Sequence, residues 1–179
     1  LSFLTRCSSK FRENINAKII SITGSCGKTT LKEMIGFTLK KISKTTYSPK
    51  SFNNKYGVPL SLFNLKEKDE FGVFEVGMDK KGEINNLTKI IRPNLGIITN
   101  ISYAHSKNFR SIKLIAAAKA EIINNIKSGG SIVLNMDDNF YKYHKNLALK
   151  KKLKVISFGI KNKSSMIRLL KAQKIKNQF

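Results

Sequence analysis

Between Ile22 and Thr30 the chain reads Ile-Thr-Gly-Ser-Cys-Gly-Lys-Thr-Thr, a spacing suited to holding the phosphates of a nucleotide. Gly24 and Gly27 let backbone N–H groups converge on phosphate oxygens. Lys28 supplies a mobile cation, and the Thr29 hydroxyl can hold Mg2+. The general form of this motif, G-x-x-x-x-G-K-[ST], would need glycine at position 22, where Ile22 stands, so the loop is a shorter variant, T-G-x-x-G-K-T-T. A turn with a chance lysine is the plain alternative. The flanks decide against it: an apolar run from Ala17 to Ile22 precedes the loop, and a helical pattern at Leu31, Met34, Ile35, Thr38, Leu39 and Ile42 follows. A strand feeding a helix N-terminus through such a turn is an anion site.

Three more residues carry chemistry. Glu75 closes the apolar run starting at Phe71, and His105 falls just past the one starting at Leu95, so both are expected on the carboxyl rim of a sheet, where ligands bind. A lone histidine is usually structural; this placement past a strand end makes a ligand as reasonable a reading, and both stay open. The third is Lys119. Ile112, Ile115, Ile122 and Ile126 form an apolar stripe on a helix expected from Ser111 to Asn125, and Lys119 takes the position that completes it. Its stem could lie buried with the ammonium reaching water. Alternatively, burial and nearby cations depress its pKa and leave a reactive neutral amine.

The elements that must position these groups alternate. Residues 1–16 are expected as a helical or linker lead-in, with Phe3, Leu4, Cys7 and Phe11 at helical spacing. Strands are expected at 17–22, 44–47, 71–75 with a glycine turn after it, 95–101, 131–136 and 153–159, with helices from the phosphate loop to Ile42 and over 82–91. Residues 48–59 read as a loop rich in turn formers, and 166–179 as helix or strand. Asn135, Asp137 and Asp138 end the fourth clear strand, where they could meet a ribose or adenine or cap the next helix. Such alternation predicts an α/β domain with a mostly parallel sheet flanked by helices.

Composition bounds the function. The 179 residues, 41% of them hydrophobic, suit one soluble domain with its own core. No apolar run is long enough to span a bilayer, and no export signal is visible. Cys7 and Cys26 give no disulfide framework, so a reducing cytoplasm is expected. The formal charge of +23 invites a nucleic-acid partner. The excess is mainly lysine spread along the chain, a bias that codon usage in an AT-rich genome would also give. No reader motif or aromatic platform accompanies it, and specific nucleic-acid recognition is not expected.

With these residues in hand the chain resembles the central, ATP-binding domain of the Mur ligases, a P-loop NTPase-like fold, from about Ala17 to Gly159. The resemblance rests on Thr23-Gly-Ser-Cys-Gly-Lys-Thr-Thr, Ser51-Phe-Asn-Asn-Lys-Tyr-Gly-Val-Pro-Leu, Phe74-Glu-Val-Gly-Met, Gly82-Glu-Ile, Thr99-Asn-Ile, Ala104-His, Ala118-Lys-Ala-Glu-Ile and Asn135-Met-Asp-Asp, in the family's order. It implies an ADP-forming amide ligase using ATP and Mg2+, most like the member that joins D-alanyl-D-alanine to UDP-N-acetylmuramoyl-tripeptide through an acyl phosphate. On this likeness Gly24, Ser25, Cys26, Gly27, Lys28, Thr29 and Thr30 cradle the nucleotide, with Asn53 and Asn54 facing phosphates or substrate and Asn135 and Asp137 as weaker nucleotide contacts. Thr29 would hold one Mg2+; Glu75, His105 and a carbamylated Lys119 would serve a second. Lys28, Glu75, His105 and Lys119 are thus the expected catalytic set.

The resemblance further implies that residues 1–16 are a lead-in and 17–179 the central domain, incomplete at its C-terminus. The family's UDP-binding N-terminal and C-terminal ligase domains are absent from the sequence, so little ligase activity is expected of these residues alone, and a monomer without membrane attachment. One departure stands out: Arg110 occupies a position where many relatives carry glycine, so the loop after His105 is expected to differ in shape. Competing readings are a ligase of the same superfamily with another substrate, including glutamate joined to folate, and a phosphate-loop module that binds nucleotide or nucleic acid without ligating anything.

Overall fold

A computed structural model describes residues 2–103 and 108–171. Among these, seven strands form one parallel sheet in the order β2-β3-β1-β4-β5-β6-β7. They are β1 Lys18–Thr23, β2 Thr45–Tyr47, β3 Phe71–Glu75, β4 Leu95–Ile98, β5 Ser131–Asn135, β6 Lys154–Gly159 and β7 Ile167–Arg168. The helices are α1 Ser2–Glu13, α2 Lys28–Lys40, α3 Gly57–Leu62, α4 Glu83–Ile91, α5 Ile112–Ala120 and α6 Tyr141–Lys150. The mostly parallel α/β sheet expected from the alternation is present.

Covered on both faces, β1 is buried at every residue after Lys18, the signature of an inner parallel strand. Ile20, Ile22, Val73 and Ile97 form a small core against Leu31, Ile35 and Leu39 of α2. A larger core on the other face gathers α3, α4, α5 and α6 through residues such as Leu62, Ile84, Ile115 and Ala148. Because β1 lies between β3 and β4, the loops leaving β1, β3 and β4 open side by side at the carboxyl rim, where parallel sheets bind ligands.

Several elements differ from the sequence expectations. The helix expected to run to Asn125 leaves α geometry after Ala120 and finishes as a 3-10 turn, Glu121–Asn125. The strand that starts at Phe71 ends at Glu75, as expected, whereas the one expected to reach Ile101 ends at Ile98 and releases the following residues to the rim. The turn-rich 48–59 stretch leads into α3, whose first turn is capped by Asn54 Oδ1 accepting from the Tyr56 and Gly57 amides at 3.0 and 2.9 Å. On α2, Met34 is exposed while Lys32 and Gly36 are buried, so the helix sits on the sheet in a different rotational phase from the predicted stripe, and Ile42 lies exposed beyond its end.

Residues 2–13 form a helix docked on α3 and α4. Arg12 secures it: the buried guanidinium donates to Ile91 O at 2.9 Å, to Ala17 O at 3.2 Å and to Ile15 O. Its fork thereby closes the C-terminus of α4 and the chain entering β1. Of the ambiguous tail, Ile167 and Arg168 add a short strand, and 172–179 lie outside the described residues. Among the described residues no helix is long and apolar enough to cross a membrane.

Candidate functional site

The phosphate loop, residues 24–27, is held from outside by the segment that leaves β4. Ser25 N donates to Asn100 O at 2.9 Å and Cys26 N to Asn100 Oδ1 at 3.0 Å. Thr99 Oγ1 donates to Cys26 O at 2.7 Å, and Ser25 Oγ both accepts from Ser102 N and donates to Ser102 O. Gly24 has φ of 146°, and a Cβ there would fall 1.8 Å from Thr99 Oγ1, so the contact with Thr99, just past β4, admits glycine alone. Lys28, Thr29 and Thr30 form the first turn of α2, whose amides lack partners within the helix and favour an anion.

Two lysines from opposite sides of the sheet meet at this loop. Lys28 Nζ and Lys119 Nζ each donate to Gly24 O at 2.9 Å. Lys119 is 2% exposed; its ammonium turns to a backbone carbonyl rather than snorkelling to water, and the stripe that Lys119 completes is buried at Ile115, Ile122 and Ile126. Burial, with the charge of Lys28 second, depresses the Lys119 pKa to about 8. A carbonyl shared by two ammonium groups leaves positive charge in excess, an electrostatic match for polyphosphate.

Glu75 ends β3 beside Ile22 in register and is fully buried. Asn53 holds it: Nδ2 donates to Glu75 Oε1 at 2.6 Å, and Asn53 O accepts from Gly77 N at 2.8 Å. Glu75 Oε2 is buried without a hydrogen-bond partner. An orphan carboxylate oxygen is costly and is the kind of ligand a hard divalent cation takes, so this residue fits Mg2+. Among the described residues no three His, Cys, Asp or Glu lie together as a ready-made metal cluster, and His105 lies outside the described residues.

Asn135 and Asp137 are committed to the rim itself. Asn135 Nδ2 donates to Thr99 O at 3.3 Å, and its Oδ1 accepts from Asp137 N. The Asp137 carboxylate accepts from the amides of Ile160, Lys161 and Asn162 at 2.5, 2.9 and 2.7 Å; these bonds, that from Lys161 foremost, hold its pKa below the usual range. Sequence reasoning missed other supports. Glu121 accepts from Gly82 N at 2.7 Å and Asn85 N at 3.1 Å, and Glu83 accepts from Asp79 N and Lys80 N. Only Gly82-Glu-Ile carried such a signal, since a carboxylate at a helix start is a capping pattern; Glu121 caps α4 from 39 residues away, which no local pattern shows.

A groove of about 1110 Å3 opens from Lys28 and Lys119, passes Asn53 and Asn54, and reaches α4 and the α1 residue Arg6. It is large enough for an extended substrate.

A family model described as the Mur ligase middle domain matches residues 22–178. A UDP-N-acetylmuramoyl-tripeptide--D-alanyl-D-alanine ligase of Buchnera aphidicola subsp. Baizongia pistaciae is 37% identical over 164 residues, covering 91% of this chain and 35% of that protein. The crystal structure of MurF from Acinetobacter baumannii superposes with a TM-score of 0.83 at 35% identity, covering 87% of this chain and 34% of its own. MurF of Thermotoga maritima, solved in complex with ADP, gives a TM-score of 0.81 at 28% identity over 90% of this chain and 37% of its own. The chain spans about a third of the length of the relatives it matches. The chain therefore belongs to the Mur ligase family, whose middle domain it matches.

Proposed function

We propose that this chain is the nucleotide-binding part of an ADP-forming amide ligase that joins D-alanyl-D-alanine to UDP-N-acetylmuramoyl-tripeptide. One observation carries the chemistry: two lysines converge on Gly24 O beside the strand that ends in Glu75, whose second oxygen is unpaired. The names of the relatives supply the substrates.

In this reaction a substrate carboxylate oxygen attacks the γ-phosphorus of ATP and the bond to ADP breaks, leaving an acyl phosphate. The amine of D-alanyl-D-alanine then attacks the acyl carbon, the nitrogen loses its proton, and phosphate departs. Phosphoryl transfer asks the protein for positioning and charge compensation. Lys28 and the first-turn amides of α2 meet the phosphate oxygens. Asn53 keeps Glu75 in place, and Asn53 and Asn54 line the groove through which the substrate carboxylate approaches. Mg2+, when bound, neutralises charge on the phosphates; Thr29 would hold one ion, and Glu75, His105 and Lys119 a second.

Lys119 can join that set only as a carbamate, because an ammonium repels a cation. The neutral amine adds to CO2 and releases a proton, giving an anionic oxygen donor. A pKa near 8 keeps a usable fraction of neutral amine at physiological pH. With 13C-labelled CO2, a carbamate signal is expected from the wild-type chain and not from Lys119→Arg; the same signal in both would exclude Lys119. For the nucleotide, Lys28→Ala should weaken ADP binding at least tenfold, about 1.4 kcal/mol by calorimetry. Unchanged affinity would end the phosphate-loop assignment. These residues by themselves are expected to show little ligase turnover.

A further inference from the structure

Lys32, on the second turn of α2, is 0% exposed, yet no step above uses it. Its Nζ donates to Ser48 O at 2.6 Å and Lys50 O at 2.5 Å, and Glu33 Oε1 lies 2.7 Å away. Three acceptors thus meet the three donors of one ammonium, through short charge-assisted bonds. The reach depends on Gly36, one turn further along α2, because a Cβ there would stand 2.5 Å from the Tyr47 ring. The helix can therefore lie close against β2, with the ammonium at the turn where β2 ends. Lys50 is held there at φ of 46°, a left-handed conformation uncommon for lysine. Three residues on, Asn53 ties the same segment to Glu75 and Gly77.

We propose that Lys32 is a positioning residue: it clamps the Ser48–Lys50 turn to the phosphate-loop helix, so that Asn53 occupies Glu75 Oε1 and Glu75 Oε2 stays available to a divalent cation. The helix that presents Lys28 and Thr29 to the nucleotide and the loop that orients Glu75 are thereby one rigid unit. This inference rests on the nucleotide and Mg2+ assignment above.

The experiment reads two quantities in this chain: the ratio of ADP affinities with and without Mg2+, and hydrogen exchange at the Gly77 amide. Lys32→Met is expected to cut the Mg2+-dependent gain about fivefold to tenfold and to speed Gly77 exchange at least tenfold, as local opening of the clamp requires. Asn53→Ala should cut the same gain, and the double variant should be no more than about twofold below the weaker single variant, because both act through one linkage. Losses that multiply, or an unaltered Mg2+ gain with unaltered Gly77 exchange in Lys32→Met, would overturn the proposal. Should Lys32→Met not fold, Lys32→Arg decides on the same readouts: a planar fork cannot reproduce the three ammonium bonds, so wild-type values there would overturn it. If the wild-type chain gains nothing from Mg2+, the metal assignment fails, and Gly77 exchange alone still decides the clamp.

Discussion

Lys119 and Lys32 are both withdrawn from water, at 2% and 0% exposure, but their surroundings treat them in opposite ways. Lys32 has two carbonyls and a carboxylate within reach, so its charge is compensated and its stem acts as a fixed strut. Lys119 has one carbonyl, which it shares with Lys28, and its charge is disfavoured by burial first and by the charge of Lys28 second. A buried cation with enough acceptors builds a scaffold, while one short of acceptors beside a second cation is primed to lose its proton and react. The two sit on different helices, one on each face of the sheet, and serve the same rim.

Substitutions can break this contrast. The largest effect is expected for Lys32→Ala, which strands the Ser48 and Lys50 carbonyls and leaves a void; urea unfolding should show a loss of about 3 kcal/mol or more. A loss under about 1 kcal/mol would mean the clamp carries little strain or load.

For Lys119 the contrast is read through pH. Its folded-state pKa, about 8, lies below the ordinary value of 10.5, so both states are protonated below pH 8 and the burial penalty is present in full there. Between about pH 8 and 10.5 the unfolded state binds more protons, and stability contributed by this group rises with pH. Compared with Lys119→Met, the wild type should therefore gain up to about 3 kcal/mol across that window, measured by chemical denaturation. A flat difference would show that Lys119 is not destabilised by its charge.

The smallest effect sharpens the geometry. Gly36→Ala places a methyl against the Tyr47 ring and should cost about 1–2 kcal/mol in thermal or urea unfolding, by overpacking. It should also loosen the Lys32 contacts, whereas a neutral or stabilising outcome, as for an exposed helical glycine, would mean that α2 does not need its close approach.

How much of the site could be read in advance depended on the range of the interaction. The phosphate loop needs only consecutive residues between a strand and a helix, and Lys119 betrayed itself by interrupting an apolar period. Lys32 gave no such sign, because a lysine beside Leu31 on an amphipathic helix looks like part of its solvated edge. Its burial follows from the phase in which α2 meets β2, which also turned Met34 outward. Periodicity gives the width of a stripe but not which edge of it the sheet will accept. Asn53 and Glu75 were each identifiable, yet their bond joins residues 22 positions apart and exists only because β2, β3 and β1 lie side by side.

The sequence by itself determined the strand-loop-helix around Lys28, the alternation that makes a parallel sheet, and the misfit lysine at 119, since each is a matter of local spacing or period. The tertiary structure decided that Lys119 and Lys28 share Gly24 O, that Asn53 leaves one oxygen of Glu75 unpaired, and that Lys32 faces inward. Those outcomes depend on strand order and on how closely one helix approaches the sheet, quantities fixed by packing between residues far apart in the chain.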